Sequence, residues 1–283
     1  MIALAAVAAI AIGTMTAACQ GGTQDLLGKV KSAGKIVMST DPQYPPQSEL
    51  TDQGTYEGFD IDVGTAIAKG LGVTIEFTTP TWDTITAGSW GGRWDFSVGS
   101  MTITAEREKI LSFSTPYYFT PAQTAASTAS GITTYDGLAG KTICVGAATT
   151  YLYWLDGTLD FGSAKTQTQS TMKAPPTGAK PTTLDTDRLC AETWKAGRQD
   201  FEGWLSSVTT VQAAIDEGLP LVAVGDPVFF EPLGVAFDKS GPDPASIVTE
   251  VNKILDSMRT DGSLKAMSEK WFGGIDYTVP QGG

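Results

Sequence analysis

The chain has no histidine in 283 residues. That absence excludes Ser-His-Asp and Cys-His nucleophilic centres and removes the commonest zinc ligand. Positive charge is scarce: 19 Lys+Arg face 31 Asp+Glu, for a net charge of −12. Nucleic acid and anionic membrane faces are therefore poor partners, and any binding surface meets something small or basic. No G-x-G-x-x-G, P-loop, heptad run or internal repeat is present. Nothing points to a metal or cofactor. Cysteine is limited to three residues, and residues 1–24 contain no Asp, Glu, Lys or Arg at all.

The uncharged start is small and apolar, as an export leader requires. A membrane span needs about 20 apolar residues, and this run weakens at residues 13–16. Residues 1–18 are therefore expected to be a signal peptide. Thr16-Ala17-Ala18-Cys19 resembles the lipobox of bacterial lipoproteins, which makes Cys19 the lipidation site and residues 19–30 the attachment and linker segment. Thr16 replaces the preferred Leu, and no basic n-region precedes the run, so translation is expected to start upstream of Met1. Export to the periplasm or cell surface also permits Cys144 and Cys190 to pair. The alternative is two separately buried thiols.

Periodicity gives an α/β chain. Residues 35–40 read as a strand stopped by Pro42, Pro45 and Pro46, residues 61–72 as a helix closed by Gly72, and residues 73–78 as a second strand. Such a βαβ unit places its strands parallel. Helices are expected over 81–90, from Thr104, over 187–196, 204–217, 246–258 and 264–271, with strands at 94–99, 140–146 and 219–224. Residues 121–131 lack apolar periodicity and are the expected crossing between two lobes. Residues 163–183 are polar and proline-bearing, an expected surface excursion.

The segment Ser100-Met101-Thr102-Ile103-Thr104-Ala105-Glu106-Arg107 carries the chemistry. Arginine in a helix's first turn opposes the macrodipole, and a carboxylate ligand would supply the reason for it. Its fork, with the hydroxyls of Ser100 and Thr102, could hold one anion by paired hydrogen bonds. A surface arginine paired with Glu106 or Glu108 is the plainer reading.

Several motifs, in order, support a family. They are Thr40-Asp41-x-x-Tyr44-x-Pro46, Gly58-Phe59-Asp60-Ile61-Asp62, Trp82-Asp83-Thr84-Ile85, Trp94-Asp95, the segment from Gly99 to Arg107, Phe113-Ser114-x-Pro116-Tyr117, Leu138-x-Gly140-Lys141, Gly197-Arg198-x-Asp200 and Lys270-Trp271-Phe272-Gly273. The chain resembles the polar amino-acid-binding proteins of ABC importers, solute-binding protein family 3. The resemblance implies a type II periplasmic-binding-protein-like fold: two α/β lobes, two hinge strands and a ligand cleft between them. Lobe 1 would comprise residues 31–119 and 231–283, and lobe 2 residues 120–230.

By the same resemblance Arg107 grips the ligand's carboxylate with Ser100, Met101 and Thr102 from one lobe and Thr149 and Thr150 from the other. Tyr44 and Trp82 become aromatic walls, and Asp41 meets the distal group. The implied protein is a monomer that closes on an amino acid or related carboxylate, works with ABC membrane subunits and touches the membrane only through its lipid. It is not an enzyme. A periplasmic dehydratase-like enzyme or a sensory binding protein on the same fold are the alternatives.

One position departs from the family, which usually places an aspartate for the ligand's ammonium five residues after Asp200. Here that residue is Leu205. Leucine cannot compensate a buried cation. Glu202 or Asp226 substitutes, Trp204 offers a cation–π face, or the ligand lacks a primary ammonium.

Overall fold

The computed structural model describes residues 25–167 and 172–280. The expected signal peptide and Cys19 lie outside them. The chain opens with α1 (Leu26–Ala33), β1 (Lys35–Ser39), a three-stranded ribbon of β2 (Gln43–Tyr44), β3 (Ser48–Leu50) and β4 (Tyr56–Glu57), then α2 (Phe59–Leu71) and β5 (Thr74–Thr78). It continues through α3 (Trp82–Thr86), β6 (Phe96–Thr102), β7 (Leu111–Phe113) and β8 (Tyr118–Ser127). Next come β9 (Thr142–Gly146), α4 (Thr150–Leu155), β10 (Lys180–Leu184), α5 (Asp187–Lys195), β11 (Gly203–Ser207), α6 (Val208–Asp216) and β12 (Leu221–Ala223). The last elements are β13 (Phe229–Asp238), α7 (Ala245–Thr260) and α8 (Ser263–Trp271).

Local chemistry sets these boundaries. In α2, Asp60 and Asp62 occupy the first turn, where the macrodipole favours negative charge, and Gly72 ends the helix in the left-handed region at φ 71°. In α7, Ile247, Val251, Leu255 and Met258 form one buried stripe, as the 3.6 period demands. The βαβ reading holds: β1 pairs in parallel with β5 and with β6.

One curled ten-stranded sheet runs in the order β10-β9-β11-β8-β13-β6-β1-β5, with β12 beside β8 and β7 beside β13. Its apolar side chains nevertheless gather in separate clusters. Two clusters draw their buried members from residues 26–118 and 233–277, around Phe59, Phe96, Val251, Trp90 and Met101. The other two draw on residues 122–229, around Trp154, Phe229, Trp194 and Trp204. The two long strands β8 and β13 pass through both groups.

Several expectations are corrected here. Residues 26–30 are not linker: they begin α1, which buries Leu26 and Val30 in the core, with Asp25 accepting the Leu27 N–H as its cap. The helix expected over 204–217 starts only at Val208, because residues 203–207 form β11 between β8 and β9. The helix expected after Thr104 is a single 3-10 turn, Arg107–Lys109, so no macrodipole acts on Arg107. Outside these corrections, residues 121–127 of the expected crossing lie in β8, a strand buried at all ten positions. Among the described residues, no helix is long and apolar enough to cross a membrane.

Cys144 in β9 and Cys190 in α5 form a disulfide, with Cα atoms 5.8 Å apart across a separation of 46 residues. Closing a loop of that length stabilises the fold by about 4 kcal/mol in the chain-entropy treatment. Replacing both cysteines by serine should lower the urea unfolding midpoint accordingly. Equal midpoints for the oxidised and reduced proteins would refute that contribution.

Candidate functional site

The strands of both halves point their carboxyl ends at one cavity, where open α/β sheets bind ligands. Its lining includes Asp41, Tyr44, Trp82, Ser100, Thr102, Arg107, Thr149 and Thr150. Those eight sequence-derived residues meet there. Asp41 follows β1, Ser100 and Thr102 end β6, and Thr149 caps α4 after β9. Met101 does not join them. It alternates to the opposite face of β6 and is fully buried with Ile85, Trp90 and Leu111.

Arg107 is only 3% exposed. Its Nη1 donates to the Thr102 carbonyl at 2.9 Å and its Nη2 to the Ala148 carbonyl at 2.9 Å. The Nε–H has no acceptor among the described residues. The guanidinium carbon lies 5.3 Å from the Trp82 ring centroid, a cation–π contact. Trp82 Nε1 donates to the same Ala148 carbonyl at 3.3 Å. Ala148 turns that carbonyl inward by adopting φ 56°, a left-handed conformation that costs a non-glycine residue about 1 kcal/mol.

The cavity contains more acid than the sequence disclosed. Asp185, Asp187 and Glu231 line it together with Asp41, Tyr151 and Thr186. Asp187 begins α5 behind the Thr186 cap, and its Oδ1 accepts the Gly146 N–H. A side chain at Gly146 would sit 2.7 Å from that oxygen, so only glycine permits the approach. Burial, opposed by that amide, raises the Asp187 carboxyl to about 8. Burial also raises Asp41, against the Gln43 amide.

Glu231 stands in β13 at 2% exposure. Its Oε1 accepts from the hydroxyls of Thr102, at 2.7 Å, and Thr150, and its Oε2 from Tyr151 at 2.7 Å. Burial raises its pKa, while these donors and Arg107 pull it down. Behind the cavity Asp60 accepts from Ser100 Oγ and Tyr117 OH, each at 2.7 Å, and burial lifts its carboxyl to about 7.

These bonds change what the hydroxyls can do. A hydroxyl has one proton. Ser100 donates its proton to Asp60, Thr102 and Thr150 donate theirs to Glu231, and Thr149 donates to the Gly146 carbonyl at 2.8 Å. Toward the cavity they offer lone pairs. In this arrangement the hydroxyls are acceptors, a pattern suited to N–H groups.

The residues proposed to replace the missing aspartate lie elsewhere. Glu202 sits at the far end of β11, its Oε2 accepting the Thr142 N–H at 3.0 Å. Trp204 is fully buried with Cys144, Cys190 and Trp194. Asp226 is 93% exposed beside Lys173. Leu205 packs in the core with Val145 and Phe229. The carboxyl end of β11 is Ser207, two residues further on, which caps α6 and accepts from Tyr44 OH at 3.2 Å and Gln47 Nε2 at 3.1 Å. Faint signals marked two of the missed acids. Thr186-Asp187 reads as a helix cap, and Glu231 is the one charge inside an apolar strand that otherwise carries only Asp238, at its end.

The cleft also has known counterparts. Residues 36–274 match the family described as Bacterial extracellular solute-binding proteins, family 3. The chain is 30% identical over 275 residues to the L-cystine-binding protein TcyJ of Escherichia coli strain K12, covering 96% of this chain and 95% of that protein. An ancestral arginine-binding protein bound to arginine superposes with a TM-score of 0.71 at 27% identity, over 85% of this chain and 99% of that one. AncCDT-1, an ancestral amino acid-binding protein and precursor of cyclohexadienyl dehydratase, superposes with a TM-score of 0.70 at 27% identity, over 87% and 99%. Most relatives are binding proteins, and AncCDT-1 joins that lineage to an enzyme. With most of its length matched and the type II periplasmic-binding-protein fold in place, the chain belongs to the bacterial extracellular solute-binding proteins of family 3.

Proposed function

We propose that this protein captures a cationic amino acid for an ABC importer. The observation that carries the reading is the cavity's acidic lining: one buried guanidinium among four carboxyl groups, Asp41, Asp185, Asp187 and Glu231. Arg107 takes the ligand's carboxylate, exchanging its carbonyl contacts for a bidentate pair. The acids and the acceptor-facing hydroxyls take N–H groups, with Asp187 in the role the family gives to the aspartate missing at Leu205. Tyr44 and Trp82 flank the ligand. A solute with one carboxylate and more than one nitrogen cation matches this inventory, which is consistent with the arginine-binding relatives.

Lobe 1 comprises residues 26–119 and 231–280 and lobe 2 residues 120–230, hinged where β8 meets β13. The protein acts as a monomer, exported behind a leader of residues 1–18 and held at the membrane by lipid on Cys19. The closed form is what the importer's membrane subunits receive. A second reading, a dehydratase-like enzyme, draws on Asp187, whose carboxyl retains its proton near neutral pH. Mass spectrometry of ligand recovered after long incubation separates the two: an unchanged mass supports capture, and loss of one water supports the enzyme.

Thermal shift against L-arginine, L-lysine, L-cystine, L-glutamate and L-leucine tests the ligand class, with the first two expected to stabilise most. Arg107→Ala should weaken every ligand on the order of a hundredfold, the loss typical of breaking a buried charge pair. A shift that survives Arg107→Ala would defeat the carboxylate assignment.

The pH dependence has a definite sign. The Asp187 carboxyl, at about 8, is protonated at neutral pH, and a ligand cation favours its charged form, so binding releases a proton. Affinity for L-arginine should rise from about pH 6 to about pH 8. Calorimetry should show that slope in the native protein and a flat profile in Asp187→Asn. A parallel slope in the variant would remove Asp187 from the site.

A further inference from the structure

Between α4 and β10 the chain leaves the half that anchors it. Phe161 fixes the excursion on one side: it is 6% exposed and packs with Val145, Leu205 and Phe229, its ring centroid 6.1 Å from that of Phe229. Ala164 is fully buried beside it. From this anchor residues 160–163 reach across to residues 105–108, the segment that carries Arg107. That segment belongs to the other half, since Leu111, just beyond it, packs with Met101 and Ala236.

The crossing is closely fitted. The Ala105 N–H donates to the Asp160 carbonyl at 2.9 Å. The Ser163 N–H donates to Glu108 Oε2 at 3.0 Å, and Ser163 Oγ donates to Glu108 Oε1. Gly162 stands between them at φ 54°, and a Cβ there would lie 2.8 Å from the Ala105 nitrogen and 2.9 Å from its Cα. Only glycine allows both the conformation and the contact. None of these residues lines the cavity.

We propose that Glu108, Gly162 and Ser163 form a clasp outside the cleft, which fastens the Arg107 segment to the opposite half when the lobes close and so slows ligand release. They are positioning residues that do not touch ligand. The inference goes beyond the proposed function but rests on its clamp motion. Separating the halves breaks the Ala105 bond and both bonds to the Glu108 carboxylate, and bonds to a charged acceptor are the stronger kind. Ligand enters the open form, which interconverts with the clasped form in the unliganded protein, so loss of the clasp raises the off-rate and does not lower the on-rate.

Two measurements test this. In the unliganded protein, amide exchange at Ala105 by NMR should accelerate roughly five- to tenfold in Glu108→Ala, while Val251 in α7 keeps its native rate. Ser163→Ala, which removes the hydroxyl donor from an exposed residue, should give a smaller acceleration and serves if Glu108→Ala fails to fold. With L-arginine as probe, stopped-flow tryptophan fluorescence should show the off-rate raised by a similar factor, with Glu108→Gln intermediate because its amide retains one acceptor. Unaltered Ala105 exchange in both variants, or an on-rate that falls while the off-rate stays fixed, would overturn the clasp. If L-arginine does not bind the native protein, the ligand assignment fails, and Ala105 exchange still decides the clasp.

Discussion

From Tyr118↔Leu233 to Ala122↔Phe229, β8 and β13 pair antiparallel, and each then continues into different company. Strand β8 goes on to pair with β11 and β12, and β13 with β6 and β7. This crossing makes one continuous sheet serve two groups of core clusters. Both strands are buried along nearly their whole length. The cleft exists because the cores diverge on either side of these two strands while the carboxyl ends of β1, β6 and β9 converge on the gap.

A charge placed at that crossing would ordinarily be a fault. Glu231 is buried in an apolar strand, and Asp60 and Asp187 are buried nearby, so folding must dehydrate all three. Hydroxyl and amide donors offset part of that cost, and the remainder appears as carboxyl groups whose pKa values burial raises above the ordinary range. Local rules of this kind are broken where a binding site needs groups held ready. Glu231 also joins Thr102 of one half to Thr150 and Tyr151 of the other, so its desolvation is tied to the geometry of closure.

Much of the fold was legible in the sequence. The βαβ opening, α5, α7 and α8 follow from apolar spacing and from glycine stops, because their cores are amphipathic stripes. Arg107 could be singled out because the Ser100–Thr102 strand end and the turn after it leave a local trace. Strand alternation then separates Met101 from Ser100 and Thr102, a distinction that a motif copied as a block does not make. Residues 203–207 read as helix because β11 is covered on both faces, and a buried strand has no alternation to betray it. Trp204 and Glu202 were misplaced for the same reason. Asp185 and Asp187 acquire meaning only through convergence with Asp41 and Arg107 in space, which no local spacing encodes.

The Cys144–Cys190 bridge has a consequence for the thermodynamics of capture. It joins β9, which delivers Ala148 and Thr149 to the cleft, to α5, which delivers Asp187. Two separate arms of the binding face thus move as one body. Their mutual freedom is surrendered when the sulfurs join, before any solute arrives. What binding must still freeze is one collective rotation, so preorganisation set in oxidation is repaid later as affinity that no ligand contact supplies.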